Sequence, residues 1–447
     1  MNAGLATRIA AEYAAAEQSL TKGDASREFR QNAIRALTER GLPTSRDENW
    51  KYVNLRPLDK VRFAPPVAGL AAAVVAEGLP PQIAGYVRYT FIDGVLAAEL
   101  SSASAPAGVS VRSMAGDRVV PSSFEDRPRA GDRAGADDRA TAGDLRFALL
   151  NDAFSTDGAL IQVDAGTNRS ACIELLFVAT AAATAGASYP RVQLQVAAGS
   201  RVGLIERHIS AAGEASFVNC AVRADMARDA TVQHYRVQQM SPRTIWFDTL
   251  AATLAHGARY QLHGVSLGAQ SARSTIRVAL VGERSEVSLS NVAVGGNNQV
   301  HDTFALVEHI AGHARTEQNF RGIASDRARV AFNGKIVVRK NANGTDSRQS
   351  LRGLLAGPDA EIDVRPQLEI YNDDVRCNHG ATAGKLDDQM LFYLLSRGLD
   401  RETAQRLLKW AFLEDVVARI EVPELRRQIE QSLAGQLNEA AALKELL

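Results

Sequence analysis

The chain has 447 residues with 51 basic and 51 acidic side chains, so no sequence-wide charge recommends nucleic acid or a membrane surface as its partner. Three cysteines make no disulfide framework and suit a reducing, cytoplasmic setting. Arg8 and Glu12 interrupt the N-terminal segment too early for a secretory signal, and no apolar run approaches the roughly 18 residues of a membrane span.

Residues 1–85 read as a small helical region. In SREFRQNAIRALTERG, Phe29, Ala33 and Leu37 recur at helical spacing between a candidate N-cap, Ser26, and a stop at Gly41. Residues 86–150 open with YVRYTFIDGVLAAEL, whose β-branched and aromatic residues flank an Asp-Gly turn and predict a hairpin-like entry to a sheet. The stretch from Arg127 to Asp144 has no large apolar residue, so about 104–145 is expected to be a disordered, solvated insertion. From 151 to 370 apolar residues alternate with period two, as in RVQLQVAAGS and ARVAFNGKIVV. A turn-plus-strand pattern recurs at Val202, Val232, Tyr260, Val287 and Thr316, about 28 residues apart, then half a step on at Val330, and again at Ile362. That period predicts a mainly β protein with a parallel β-helix core, whose open ends the flanking helical domains are expected to cap. Residues 371–447 form the C-terminal helical domain. Asp387 or Asp388 caps a first helix with Met390, Leu391, Leu394 and Leu395 on one side, and Asp400 caps a second with Ala404, Leu407, Leu408, Ala411 and Phe412 on its apolar face. Pro423 opens a third.

The chemistry carried by the motifs is sparse. No GxxxxGK[ST] is present, so nucleotide hydrolysis would belong to a partner. Gly264-Val265-Ser266-Leu267-Gly268, beside His263, matches a nucleophile elbow but is followed by no helix, as that motif requires. His309 and His313 stand four apart in a strand–turn–strand context without the carboxylate of an HExxH motif, and read as solvent-facing or strand-edge residues. A β-helix carbohydrate-active enzyme would need an export signal and sugar-stacking aromatics, yet aromatic content is only 6%. The most informative motif is CNHGAT at 377–382. Cys377 and His379, two apart in an extended segment, project from one face and supply half a metal site; otherwise they are a small buried thiol beside a polar turn histidine.

The segment NGKIVVRKNANGTDSRQSLRGLL and the run from Glu369 through Asp387, EIYNDDVRCNHGATAGKLD, closely resemble the SufD family of the SUF iron–sulfur assembly system, and DENWKYVNL around Trp50 looks like that family's early motif. The detailed likeness spans roughly residues 310–420. The related SufB family fits less well, because QSLRGLLAGPDAEI lacks the cysteine expected there. The resemblance implies a right-handed parallel β-helix between helical regions and a non-enzymatic scaffold role. It implies pairing with a SufB paralogue through the β-helix and with the SufC ATPase through the C-terminal helices, where Leu391, Phe392, Leu394, Leu408 and Phe412 are the candidate contacts. It also implies that His379, and more weakly Cys377, ligate a transient iron–sulfur cluster shared with SufB. A purely structural partner of SufB is the alternative. Flavin involvement and a homodimer of the isolated chain stay open.

Overall fold

The computed structural model of the chain describes residues 2–20, 24–44, 46–65, 78–115, 145–168, 171–180, 186–211, 213 and 215–437. It opens with helices α1 (Asn2–Leu20) and α2 (Asp24–Arg40). The second starts ahead of the expected cap Ser26, with Asp24 in its first turn, where a carboxylate suits the positive end of the helix dipole. Gly41, at φ +67°, ends it and donates its N–H to the Leu37 carbonyl at 2.9 Å. Strands β1 (Val87–Ile92) and β2 (Val95–Leu96) form the predicted hairpin, with Asp93 and Gly94 both at positive φ as a type I′ turn demands. Strand β3 (Val109–Ser113) falls inside the segment expected to be disordered. All its residues but Arg112 lie half-buried, and it pairs antiparallel with β4 (Ala159–Val163), so order extends further than the charge-rich composition suggested. Residues 116–144 of that segment lie outside the described residues.

After helix α3 (Arg146–Phe154), strands β5 (Cys172–Ala179), β6 (Ala187–Ser188) and β7 (Arg191–Val196) lead into a parallel solenoid. It continues through β8 (Arg201–Ser210), β9 (Phe217–Met226), β10 (Thr231–Gln239), β11 (Ile245–Leu254), β12 (Arg259–Ser266), β13 (Ser271–Leu280) and β14 (Glu286–Gly295). It ends with β15 (Val300–His309), β16 (Arg315–Ala324), β17 (Arg329–Val338), β18 (Thr345–Leu355), β19 (Glu361–Ile370) and β20 (Val375–Gly384). One sheet runs β2-β1-β5-β8-β10-β12-β14-β16-β18-β20 and the other β3-β4-β7-β9-β11-β13-β15-β17-β19. The fold is therefore mostly β, with a parallel solenoid flanked by helices.

The positions singled out by period become one column: Val202, Val232, Tyr260, Val287 and Thr316 are successive ladder partners in the first sheet. The half step to Val330 is the crossing to the second sheet, where Val330 pairs with Ile362. Inward residues of both sheets, such as Leu204, Val222, Leu250, Leu289 and Val307, make the apolar half of the lumen; each such side chain contributes about 1.5–3 kcal/mol on burial.

Helices pack on the outer faces of the sheets rather than on the ends expected for caps. Trp50, Phe147, Phe154, Leu37 and Ile9 meet Phe217, Ile245 and Phe247 of the second sheet. On the first sheet, Tyr235, Val265, Val292 and Ile323 receive α5 (Arg401–Val417) and α6 (Pro423–Gln436) through Leu413, Val416, Val417, Leu425 and Ile429. The physical reason is that both faces of a parallel sheet are apolar, so each outer face needs its own cover.

Candidate functional site

The ends of the solenoid differ. At the N-terminal end, the two-residue β2 and five-residue β3 close the sheets antiparallel, as short, poor templates for further pairing. At the other end, β19 and β20 are ten residues each and have no further strand beside them among the described residues. Glu361 and Tyr371 donate backbone N–H groups back to Ala328 and Val338. By the alternation of a parallel ladder, the even residues of β19 face the open side, Pro366 among them. A proline is tolerated there because no ladder bond is lost. In β18, Asp346 and Ala356 donate back to Ala314 and Ala324. The same alternation leaves the N–H groups of Val375, Cys377, His379 and Ala381 of β20 on the open edge.

The side chains of Cys377 and His379 fall in two inward columns. Cys377 follows Thr316 and Ser347, is half-buried and packs on the apolar core. His379 follows Gln318 and Gln349, which are buried and joined by a 2.9 Å hydrogen bond. Because no coil lies beyond it, His379 is exposed and has no hydrogen-bond partner among the described residues. The same-face reading of the pair holds, and Arg376 occupies the opposite face.

Helix α4 (Asp388–Ser396) follows, capped by Asp387, which accepts from the N–H groups of Gln389 and Met390; Asp400 caps α5 through Thr403. The expected apolar face of α4 is only partly used: Leu391 is buried and Leu394 and Leu395 half-buried, while Met390, Phe392 and Tyr393 are 58, 72 and 55% exposed. On α5 the buried stripe is Ala404, Leu413, Val416 and Val417. Leu408 and Phe412 are half-buried, the latter with the Arg321 guanidinium 5.9 Å from its ring centroid, and Ala411 is exposed because the helix presents its later turns to the sheet.

A second constellation, missed in the sequence, lies inside the solenoid. Glu206 and His208 of β8 face Cys220 of β9 across the lumen, and all three are fully buried. His208 Nε2 is 2.6 Å from Glu206 Oε1, the Cys220 thiol 3.6 Å from that oxygen, and Arg236 Nη2 2.7 Å from it. His234 Nε2 is 3.2 Å from the other carboxylate oxygen. Arg236 also forks onto Asp248 at 2.6 and 2.8 Å. Burial pushes the Glu206 carboxyl up, but the Arg236 charge and the two imidazoles outweigh it and hold it well below the usual carboxylate range. Burial, then the Glu206 and Asp248 charges, pushes the Cys220 thiol well up. The signal was available: Glu206 and Cys220 are 14 residues apart, the half-coil spacing that brings residues face to face.

Beside this cluster is a cavity of about 40 Å³, room for about three waters, lined by His208, Arg236, Ser266, Asn291, His301 and Phe320 among others. Buried Arg236 Nε, Asn291 Nδ2 and His301 Nε2 have no hydrogen-bond partner among the described residues.

Ser266 of the elbow-like motif lies on a strand, 2.8 Å from His301 Nδ1, but among the described residues no carboxylate orients that imidazole as a nucleophile–base pair requires. His309 is buried rather than solvent-facing, held 2.7 Å from Thr316 Oγ1, whereas His313 is exposed in a turn at φ 58°. Trp50 is 1% exposed, beneath the Arg273 guanidinium at 4.3 Å and beside Phe147 at 5.1 Å, so the early motif seats the N-terminal segment on the second sheet.

The geometry defines a helix-covered parallel solenoid with one end unpaired among the described residues. Residues 177–412, more than half of the chain, match the family model for the SUF system FeS cluster assembly, SufBD core domain. The chain belongs to the SufBD family of iron–sulfur cluster assembly proteins. It is 30% identical to the iron–sulfur cluster assembly protein SufD of Escherichia coli K12, over 91% of this chain and 92% of that protein. It is 27% identical to a SufBD family protein of Synechocystis over 91% of this chain and 90% of the other. A chloroplastic protein of Arabidopsis thaliana, ABCI7, is 28% identical over 56% of this chain and 53% of its own length. No helix among the described residues is long and apolar enough to cross a membrane.

Proposed function

We propose that this chain is a non-enzymatic scaffold subunit that pairs with a SufB-like paralogue through the open end of its solenoid and offers His379 to a nascent iron–sulfur cluster held between the two. The observation that carries this reading is the exposed, unpartnered imidazole of His379 on an inward column that ends without a covering coil. A second coil from the partner would complete the ladder, bury the column and enclose the imidazole. Neutral imidazole is a borderline ligand, strong enough to hold iron and weak enough to release a finished cluster. Cys377 packs on the core and serves mainly to shape the last coil, with its thiol in reserve as a weaker ligand. The SufC-like ATPase docks on the apolar surface of α4, for which Phe392, Met390 and Tyr393 are the exposed anchors, with the less exposed Leu391 and Leu394 of α4 and Leu408 and Phe412 of α5 as further candidate contacts. The setting is the cytoplasm, and an isolated chain pairs with itself through the same edge.

The test is iron and acid-labile sulfide in the complex co-expressed with both partners, comparing wild type with His379→Ala. Cluster content falling severalfold in an intact complex supports the ligand role. Unchanged content makes the chain a structural partner only.

A further inference from the structure

We propose that Glu206, His208 and Cys220 form a site for one divalent first-row transition-metal ion inside the solenoid, separate from the open end. The donors converge from facing strands: Glu206 Oε1 lies 2.6 Å from His208 Nε2 and 3.6 Å from Cys220 Sγ, which is 4.0 Å from His208 Nε2. Ligands bound at about 2.0–2.3 Å around a tetrahedral ion sit roughly 3.3–3.8 Å from one another. For the ion to enter, the imidazole–carboxylate contact has to open and the ring proton has to pass from Nε2 to Nδ1 of His208, which has no partner among the described residues. One carboxylate, one imidazole and one thiolate select zinc, cobalt or ferrous iron over magnesium or calcium, which prefer oxygen alone.

Charge balance points the same way. Leaving the imidazoles out of the count, the buried group holds the Glu206 and Asp248 carboxylates against the Arg236 cation, an excess of one negative charge away from bulk water. A dication that binds as the Cys220 thiol gives its proton to solvent brings the group to zero, and no electron changes hands. The adjoining cavity, with room for about three waters, supplies the fourth ligand, and the unpartnered Arg236 Nε, Asn291 Nδ2 and His301 Nε2 keep it polar. This site is not the shared one. β8 and β20 are six ladder steps apart, on the order of 30 Å at the usual strand spacing. The stacked Phe320 and Phe332, centroids 4.6 Å apart, lie in the lumen between them.

The experiment uses the full-length chain carrying Cys377→Ala and His379→Ala, so that the open-end reading cannot influence the result. After chelator stripping, the chain is titrated with Co²⁺, and anaerobically with Fe²⁺, with bound metal counted and thiolate-to-cobalt charge-transfer absorption recorded. One ion per chain with that absorption, lost in Cys220→Ser and weakened about 10–100-fold in His208→Gln, is expected. Absence of binding, binding without the thiolate band, or a band surviving Cys220→Ser overturns the proposal. Should Cys220→Ser fail to fold, an affinity unchanged by His208→Gln overturns it equally.

Discussion

Arg236 holds together two carboxylates that would otherwise be buried against each other, Glu206 and Asp248. Arg236→Ala is expected to cost about 3–5 kcal/mol, because it strands uncompensated charge rather than removing a weak surface pair. Denaturant unfolding of the purified chain measures this; a loss under about 1 kcal/mol would show that water reaches the carboxylates. Histidines give the chain its acid sensitivity. Burial holds His301 and His309 down to about 4, and burial does the same for His263 despite the nearby Glu421. Below about pH 6.5 the unfolded chain takes up protons at these positions and the native chain does not. Stability is therefore full above about pH 7 and declines as pH falls from about 6.5 towards 4, by on the order of 2–4 kcal/mol per histidine. Glu206, with its lowered carboxyl, loses its contribution only at lower pH still. A urea midpoint that stays constant between about pH 7.5 and 5 would contradict this. At this scale the shared face of Cys377 and His379 was legible because both residues sit in one short extended motif. Glu206, His208 and Cys220 were not, because their proximity arises only when the chain has turned half a coil.

Among the described α-helices, α4 is the least buried against its own chain. Phe392→Asp is expected to leave the thermal midpoint within about 1 °C, because the ring is 72% exposed, while weakening the ATPase partner at least tenfold if that face is a binding anchor. Co-purification and calorimetry of the variant separate the two effects. The solenoid strands were readable from period-two alternation, and the coil length from the recurrence at Val202, Val232, Tyr260 and Val287. The placement of helices was not. Amphipathic spacing shows that Leu413, Val416 and Leu425 need cover, but not whether a sheet face or a solenoid end provides it. Strand β3 was obscured for a related reason: five residues paired with a single neighbouring strand give too little pattern to stand out beside a long charged stretch.

For the whole molecule, the unpaired edge is the decisive feature. Ala381 of β20 presents its N–H outward, so Ala381→Pro should abolish pairing with the paralogue while leaving the monomer folded. Asn378→Pro, at a position whose N–H serves the ladder to β18, should instead loosen the last coil itself. Analytical ultracentrifugation and hydrogen exchange of the two variants test this contrast, and equal behaviour would mean that the edge is not the joint. The overall architecture was visible in the sequence because repetition amplifies a weak local signal over many coils. The difference between the two ends was not, since it depends on what fails to follow the final strand.

That asymmetry fixes the valence of the molecule. A rod with two sticky ends polymerises, whereas a rod with one blunt end and one sticky end has a single bond to make, and two such rods joined end to end leave nothing further to join. The short antiparallel strands at the start of the solenoid would thus act as a chain terminator, so that pairing through the open end, as proposed above, would stop at two chains.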